Sequence, residues 1–323
     1  HPNMPWDGTT LYRAGLDENG APEATRVVAG GTGEAIQQPA FSPAGQLCFV
    51  SDESGWWNLY TTTGEGVRPV FPMAGEFGEA QWALGLCTYV FRSSTEVVCK
   101  MSTANVDSVG RLDLGSGEWH TLDLPCQHIT SLAAGPDGLT FVGASATVQS
   151  RLMYKSWQDD PVQEIKTAAR TGIAEGYVSI PEAIEFPTGN NEVAHAFFYA
   201  PANAEYCAPQ GELPPLLVKI HGGPTSAEHA SLNPATQFWT SRGIAVLDVN
   251  YRGSTGYGRD YRNRLQGNWG VTDVEDVCCG AEHLARTGRV DGNRLMIRGG
   301  SAGGYTTLAA LALTDTFKAG TSL

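Results

Sequence analysis

Two rhythms of apolar and polar positions divide this chain. Through residue 168 the apolar residues come in short runs of Val, Leu, Tyr, Phe and Thr, separated by Gly, Pro, Asp and Ser. Short runs between turn formers predict β-strands. After Gln158-Asp159-Asp160-Pro161 the rhythm changes. Residues 164–169 are compatible with a helix, and 180–187 and 194–199 with strands. The stretch 200–215 carries four prolines and reads as an exposed loop. Strands and helices alternate from there. Leu216-Leu217-Val218-Lys219-Ile220 is the near-continuous apolar run of a buried parallel strand. Residues 232–242 predict a helix and 244–249 a strand. Within 273–286, Val274, Val277, Cys278, Ala281, Leu284 and Ala285 fall on one helical face. A strand at 295–297, an Ala- and Leu-rich helix and the start of another strand at 317–323 complete the pattern. Alternation of this kind predicts a doubly wound, mostly parallel sheet over residues 169–323, after an all-β domain over 1–168.

The all-β part carries a weak internal repeat. Segments 5–12, 42–49 and 135–141 each place a turn glycine (Gly8, Gly45, Gly138) ahead of an apolar run, and 82–89 is a degenerate copy around Gly85. Asn58-Leu59-Tyr60 and Leu152-Met153-Tyr154 echo one another as the next strand. An interval of roughly 40 residues suits four-stranded propeller blades. The expectation is a partial β-propeller of about four blades, with further blades ahead of His1, the alternative being that the four blades close on themselves. Trp56 and Trp57 read as blade packing, with a ligand-facing surface as the alternative. Glu76 and Glu79 read as solvated turn carboxylates, the alternative being a cavity that holds a cationic group.

The chemistry concentrates in residues 293–314. An apolar strand runs into Gly299-Gly300-Ser301-Ala302-Gly303, and a helix follows. Strand, G-x-S-x-G turn and helix together form a nucleophile elbow, in which a serine sits on a strained turn whose glycines avoid clashes. The chain after residue 168 thus reads as the first part of an α/β-hydrolase domain. Ser301 is the expected nucleophile. The amide of Ala302 is one expected oxyanion donor, since it opens the elbow helix. The second donor in such folds comes from the loop after an earlier strand, and His221-Gly222-Gly223-Pro224 has that place, with Gly223 as the donor. In this fold the partners follow the order Ser, acid, His. His195, His221, His229 and His283 all precede Ser301, so none fits as the base. Asp315 lies too close to serve as the acid. The triad Asp and His are therefore expected to be absent from these 323 residues. Asp273, Glu275 and Asp276 sit in the first turn of a predicted helix, where the dipole favours acids, and need no other role.

Composition narrows the partners. The formal net charge of −13 argues against nucleic acid and an anionic membrane surface. No apolar run approaches a membrane span, and no signal peptide is visible. The chain begins with His1, as expected of a processed product or a piece of something longer. Seven cysteines at scattered spacings, without C-x-x-C, predict free thiols in a reducing, cytoplasmic setting. No metal-ligand, P-loop or dinucleotide motif occurs, so no cofactor and no metal is expected.

Together these pieces resemble the prolyl oligopeptidase family of serine peptidases. The resemblance rests on His221-Gly222-Gly223-Pro224, on Asp248-Val249-Asn250-Tyr251-Arg252-Gly253-Ser254-Thr255-Gly256-Tyr257-Gly258, on Trp269-Gly270 with Asp273 and Asp276, and on Gly299-Gly300-Ser301-Ala302-Gly303-Gly304-Tyr305. The wording of 250–258 is closest to the acylaminoacyl-peptidase and dipeptidyl-aminopeptidase branches. The resemblance implies a β-propeller capping an α/β-hydrolase domain and an oligopeptide substrate attacked by Ser301. Gly223 and Ala302 would hold the oxyanion, and His221, Gly222, Tyr251 and Arg252 would shape the site. It also implies blades before His1 and an acid and a histidine after Leu323. Two rivals remain: an esterase or lipase on the same hydrolase fold, and a non-catalytic propeller binding protein.

Overall fold

The computed structural model describes residues 3–158, 160–167 and 172–323. The chain divides into two compact units. The first comprises His1–Gly143, Arg151–Lys166 and Gly256–Arg259; the second comprises Ala144–Ser150, Thr167–Thr255 and Asp260–Leu323. The expected boundary at residues 168 and 169 lies outside the described residues.

The first unit is built from antiparallel sheets. Strands β1 (Thr10–Leu16) and β2 (Pro22–Gly30) pair alone. Three four-stranded meanders follow. They are β3 (Ile36–Phe41), β4 (Leu47–Ser51), β5 (Asn58–Thr63) and β6 (Gly66–Pro69); β7 (Tyr89–Phe91), β8 (Glu96–Thr103), β9 (Val106–Asp113) and β10 (Trp119–Thr121); and β11 (His128–Ala134), β12 (Gly138–Ala144), β13 (Arg151–Ser156) and β14 (Gln163–Thr167). Each sheet alone would expose an apolar face. Successive sheets share cores instead. Val50, Trp57 and Leu59 pack with Tyr89, Val97 and Leu112, and Val98 and Val109 pack with Ile129, Leu139 and Phe141. The observed repeat is thus three four-stranded sheets and one two-stranded sheet among the described residues.

The turns at Gly45 and Gly138 do occupy equivalent places, between the first and second strands of their sheets, and β5 and β13 are the matching third strands. Segments 5–12 and 82–89 do not, since each leads into the first strand of its sheet. Residues 164–167 are not helical. They lie in the edge strand β14, where pairing with β13 overrides local preference; Ala168 and Ala169 lie outside the described residues. Trp57 is fully buried in the shared core. Glu76 is no solvated carboxylate. It is buried and accepts the amides of Trp57 (2.8 Å) and Gly258 (3.1 Å). Glu79 pairs at 2.9 Å with buried Lys100.

The second unit is a six-stranded sheet with helices on both faces. Its strands are β15 (Glu182–Pro187), β16 (Val193–Tyr199), β17 (Leu216–Ile220), β18 (Ala245–Asn250), β19 (Leu295–Gly299) and β20 (Ala319–Ser322), in the order β15-β16-β18-β17-β19-β20. The first two pairings are antiparallel and the other three parallel. Alternation along the strands decides the faces. Leu216, Val218, Ile220, Leu247 and Val249 bury against α3 (Thr272–Arg286) and α4 (Ala302–Leu313). Leu217 and Val246 face the side of Trp239 in α1 (Pro234–Thr240). The short α2 (Gly258–Asn263) has no periodic apolar signature in sequence. Helix α1 starts later than its apolar pattern because Asn233 caps it, accepting from the Ala235 amide at 2.9 Å, with Pro234 in the first turn.

Lys219 interrupts the apolar run of β17 and is paired in register with Asp248 of β18; its Nζ lies 2.7 Å from Oδ1 and 2.8 Å from Oδ2. A buried charge demands such a partner. Burial pushes the Asp248 carboxyl up to about 6. All seven cysteines are unpaired, four of them buried. Among the described residues no helix is long and apolar enough to cross a membrane.

Candidate active site

Register brings three loops together at the carboxyl ends of the parallel strands. Ile220 pairs with Gly299 on one side and with Val249 on the other. Residues 221–224, 251–254 and 300–301 therefore leave the sheet side by side. Ligands of open α/β sheets bind at such strand ends.

The elbow is shaped by backbone contact. Ser301 has φ 55° and ψ −121°, a left-handed conformation that costs a non-glycine residue roughly 1–3 kcal/mol. Its amide donates to Leu323 O at 3.0 Å, and its carbonyl accepts from the Gly304 and Tyr305 amides. The two outer glycines of the pentapeptide are steric necessities. A Cβ on Gly299 would overlap the Gly303 carbonyl, and one on Gly303 would lie 2.8 Å from His221 O and closer still to Ile220 O. Ser301 is exposed, and among the described residues its hydroxyl makes no hydrogen bond.

The loop after β17 lies against that serine. A Cβ built on Gly222 would be 3.3 Å from Ser301 Cβ and 3.8 Å from its Oγ. Gly223 has φ 124°, beyond the reach of ordinary side chains, and its bond to Pro224 is cis. Among the described residues neither the Gly223 nor the Ala302 amide donates to another group. The two uncommitted amides thus belong to the residue after Ser301 and to the residue after Gly222, which approaches it.

His221 is held rather than free to act. Its Nδ1 lies 2.8 Å from Gly222 O, and its Nε2 2.7 Å from Ser254 Oγ. A carbonyl only accepts, so Nδ1 carries the proton and the Ser254 hydroxyl donates to Nε2. The Tyr251 ring stacks on the imidazole at 4.5 Å and 15°. Tyr251 Oη donates to Pro224 O at 3.4 Å. Burial drives the imidazole down to about 4, so it stays neutral at physiological pH. Gly222 C=O and Gly223 N–H belong to one planar peptide and point opposite ways. Holding the carbonyl therefore aims the amide.

Arg252 sits deeper, away from the loop. Its guanidinium meets Asp276 (2.7 and 2.9 Å), Glu192 (2.5 Å), Thr188 (2.9 Å) and Glu275. Asp273 accepts from the Gly270 amide at 2.7 Å and the Thr306 hydroxyl at 2.5 Å, tying α4 to the turn before α3. These partners, more than the helix dipole, account for Asp273 and Asp276, and no local signal in the sequence announces them. His195 lies 3.4 Å from Glu185 and packs on Tyr261, while His283 sits on α3 beside Phe186. No histidine of this unit hydrogen-bonds the Ser301 hydroxyl.

This geometry has known counterparts. Residues 230–323, which include the elbow and α3, match the prolyl oligopeptidase family. The uncharacterized peptidase YuxL of Bacillus subtilis is 31% identical over 204 residues, covering 62% of this chain and 30% of that protein. A solved puromycin-hydrolyzing peptidase of Mycobacterium tuberculosis is 37% identical and superposes with a TM-score of 0.95 over all of this chain and 49% of that one. Residues 230–323 thus carry the match to the prolyl oligopeptidase family.

Another relative is the acylamino-acid-releasing enzyme of Arabidopsis thaliana, 38% identical over 97 residues, or 30% of this chain and 13% of that protein. The chain spans about half the length of the solved peptidase and less of the two sequence relatives.

Proposed function

We propose that this chain supplies the nucleophile and both oxyanion donors of a serine peptidase that hydrolyses short peptides through an acyl-enzyme. The observation that carries the reading is the strained, exposed Ser301 beside the free amides of Gly223 and Ala302. Ser301 Oγ would attack the scissile carbonyl. Its oxygen would become an oxyanion received by the two amides, which are fixed before reaction and need no reorganisation. The base that takes the serine proton is not among the histidines of this unit, because His221 is committed to Gly222 and Ser254. Residues 1–323 by themselves should therefore turn over little or no peptide.

The relatives favour amides over esters. One is a peptidase that hydrolyses puromycin, and a mutant puromycin hydrolase of similar structure, 35% identical, was solved complexed with PGG. The propeller-like sheets suit a domain that excludes large folded substrates, in keeping with an oligopeptide substrate. The test is turnover of aminoacyl anilides against p-nitrophenyl esters by the full-length protein, with Ser301→Ala as control. Anilide cleavage lost in the variant is expected; ester cleavage alone would sink the peptidase reading.

A further inference from the structure

We propose that Asp276 is a positioning residue for the oxyanion loop, acting through Arg252 and the turn formed by residues 251–254. The proposal rests on the reading of Gly223 as an oxyanion donor.

Asp276 is fully buried on α3 and holds one residue twice. Its Oδ2 accepts the Arg252 main-chain amide at 2.7 Å. Its two oxygens also receive Arg252 Nε (2.9 and 3.2 Å), and Oδ1 receives Nη2 (2.7 Å). Thr188 adds a fourth donor at 2.7 Å. A carboxylate serving only as a counter-charge would need the guanidinium alone. Here it fixes the backbone as well.

The amide of Arg252 and the carbonyl of Tyr251 are one planar unit. Asp276 grips its N–H edge. The Ser254 amide grips its C=O edge at 2.8 Å, closing the turn. Both ends of that turn then reach His221: the Tyr251 ring stacks on the imidazole, and the Ser254 hydroxyl donates to Nε2. His221 in turn holds Gly222 O. An unbroken chain of bonded groups thus runs from α3 to the peptide that carries the Gly223 amide. Gly253 leaves the turn little slack, since a Cβ there would meet Leu265 at 2.7 Å. The outer carboxylates Glu192 and Glu275 are partly exposed and reach Arg252 through its guanidinium alone, Glu192 also meeting Arg264 at 3.5 Å, so they lack the main-chain grip.

The test is steady-state and labelling kinetics of Asp276→Asn in the full-length protein, at a temperature where circular dichroism shows it folded. The expected result is a kcat lower by about 10- to 100-fold, with KM within about twofold, since a misaimed oxyanion donor weakens the transition state alone. Fluorophosphonate labelling of Ser301 should slow by a similar factor. In a double-mutant cycle on kcat, Asp276→Asn and Ser254→Ala should be non-additive, because both break the same relay. Glu182→Gln, which breaks only the exposed pair with Arg289, should change neither rate. If Asp276→Asn does not fold, Arg252→Lys is measured in its place, with the same expected fall in kcat. A folded variant with wild-type kcat and labelling, or additive effects in the cycle, overturns the proposal. Labelling that persists in Ser301→Ala overturns the serine reading instead, so the two failures are distinguishable.

Discussion

The elbow at Ser301 and the loop at Gly223 stand side by side and are held by opposite means. The elbow is held by backbone against backbone. Gly299, Gly303, the carbonyls of Ile220 and His221 and the left-handed Ser301 leave no space for a Cβ at the two outer glycines. The loop is held by side chains that come from elsewhere. His221 clamps Gly222, Tyr251 and Ser254 clamp His221, and α3 lies behind them. A part made by local sterics fails all at once when a side chain is added. A part made by a relay of side chains should lose accuracy before it loses its fold.

The largest expected effect breaks the elbow side of this contrast. Gly303→Ala would drive a Cβ into the Ile220 and His221 carbonyls. Overlap with backbone has no cheap relief, so a loss of about 3 kcal/mol or more is expected, seen as insoluble protein or a collapsed thermal midpoint. A soluble variant of unchanged midpoint would refute the steric account. Next comes the loop. His221→Asn removes the stacked ring and the clamp on Gly222 while filling part of the space. The fold should survive, with kcat reduced about 10- to 100-fold and KM little changed. A rise in KM at constant kcat would place His221 in substrate binding instead.

The third effect concerns pH. Burial holds His221 neutral, with a folded value of about 4, below its ordinary range. The unfolded chain therefore takes up the proton first as pH falls. The stability contributed by the neutral ring is complete above the ordinary histidine value and declines as pH drops toward 4. Asp248 opposes this, because its raised carboxyl is protonated more readily in the fold. Comparing wild type with His221→Asn isolates the histidine. Their stability difference should shrink by roughly 1–2 kcal/mol between pH 7 and pH 5, by denaturant unfolding. A difference independent of pH would show that the ring is not kept neutral by burial. The smallest effect sharpens the contrast within the elbow. A Cβ on Gly300 meets only Leu323, at 3.7 Å, an ordinary contact. Gly300→Ala should stay within about 0.5 kcal/mol of wild type in stability.

The same contrast explains what the sequence makes legible. Strands β17, β18 and β19 and helix α3 are announced by local apolar patterns and are found within a residue or two of their expected limits. The elbow is announced because its requirements are local: a strand, glycines at two fixed places and a helix. The loop residues 221–224 are legible as a motif, but their supports are not. Ser254, Asp276 and Thr188 become partners only through the sheet order β18-β17-β19 and the docking of α3. For Asp273 and Asp276 the helix dipole is an adequate local reason, and it hides their bonds to Thr306 and Arg252. Glu76 misleads in the same way, since a carboxylate among glycines reads as solvated until its amide donors are placed. Residues 164–167 mislead because the fourth strand of a sheet is decided by its neighbour more than by its own composition.

The central claim is that Ser301 is the group poised to react. The most direct measurement is to treat the full-length protein with a fluorophosphonate, digest it with trypsin and locate the adduct by mass spectrometry. Cleavage after Arg298 and Lys318 isolates a peptide that contains Ser301. The account predicts a single adduct on Ser301 within that peptide, absent from Ser301→Ala. An adduct on any other residue, or labelling undiminished in the variant, would contradict it.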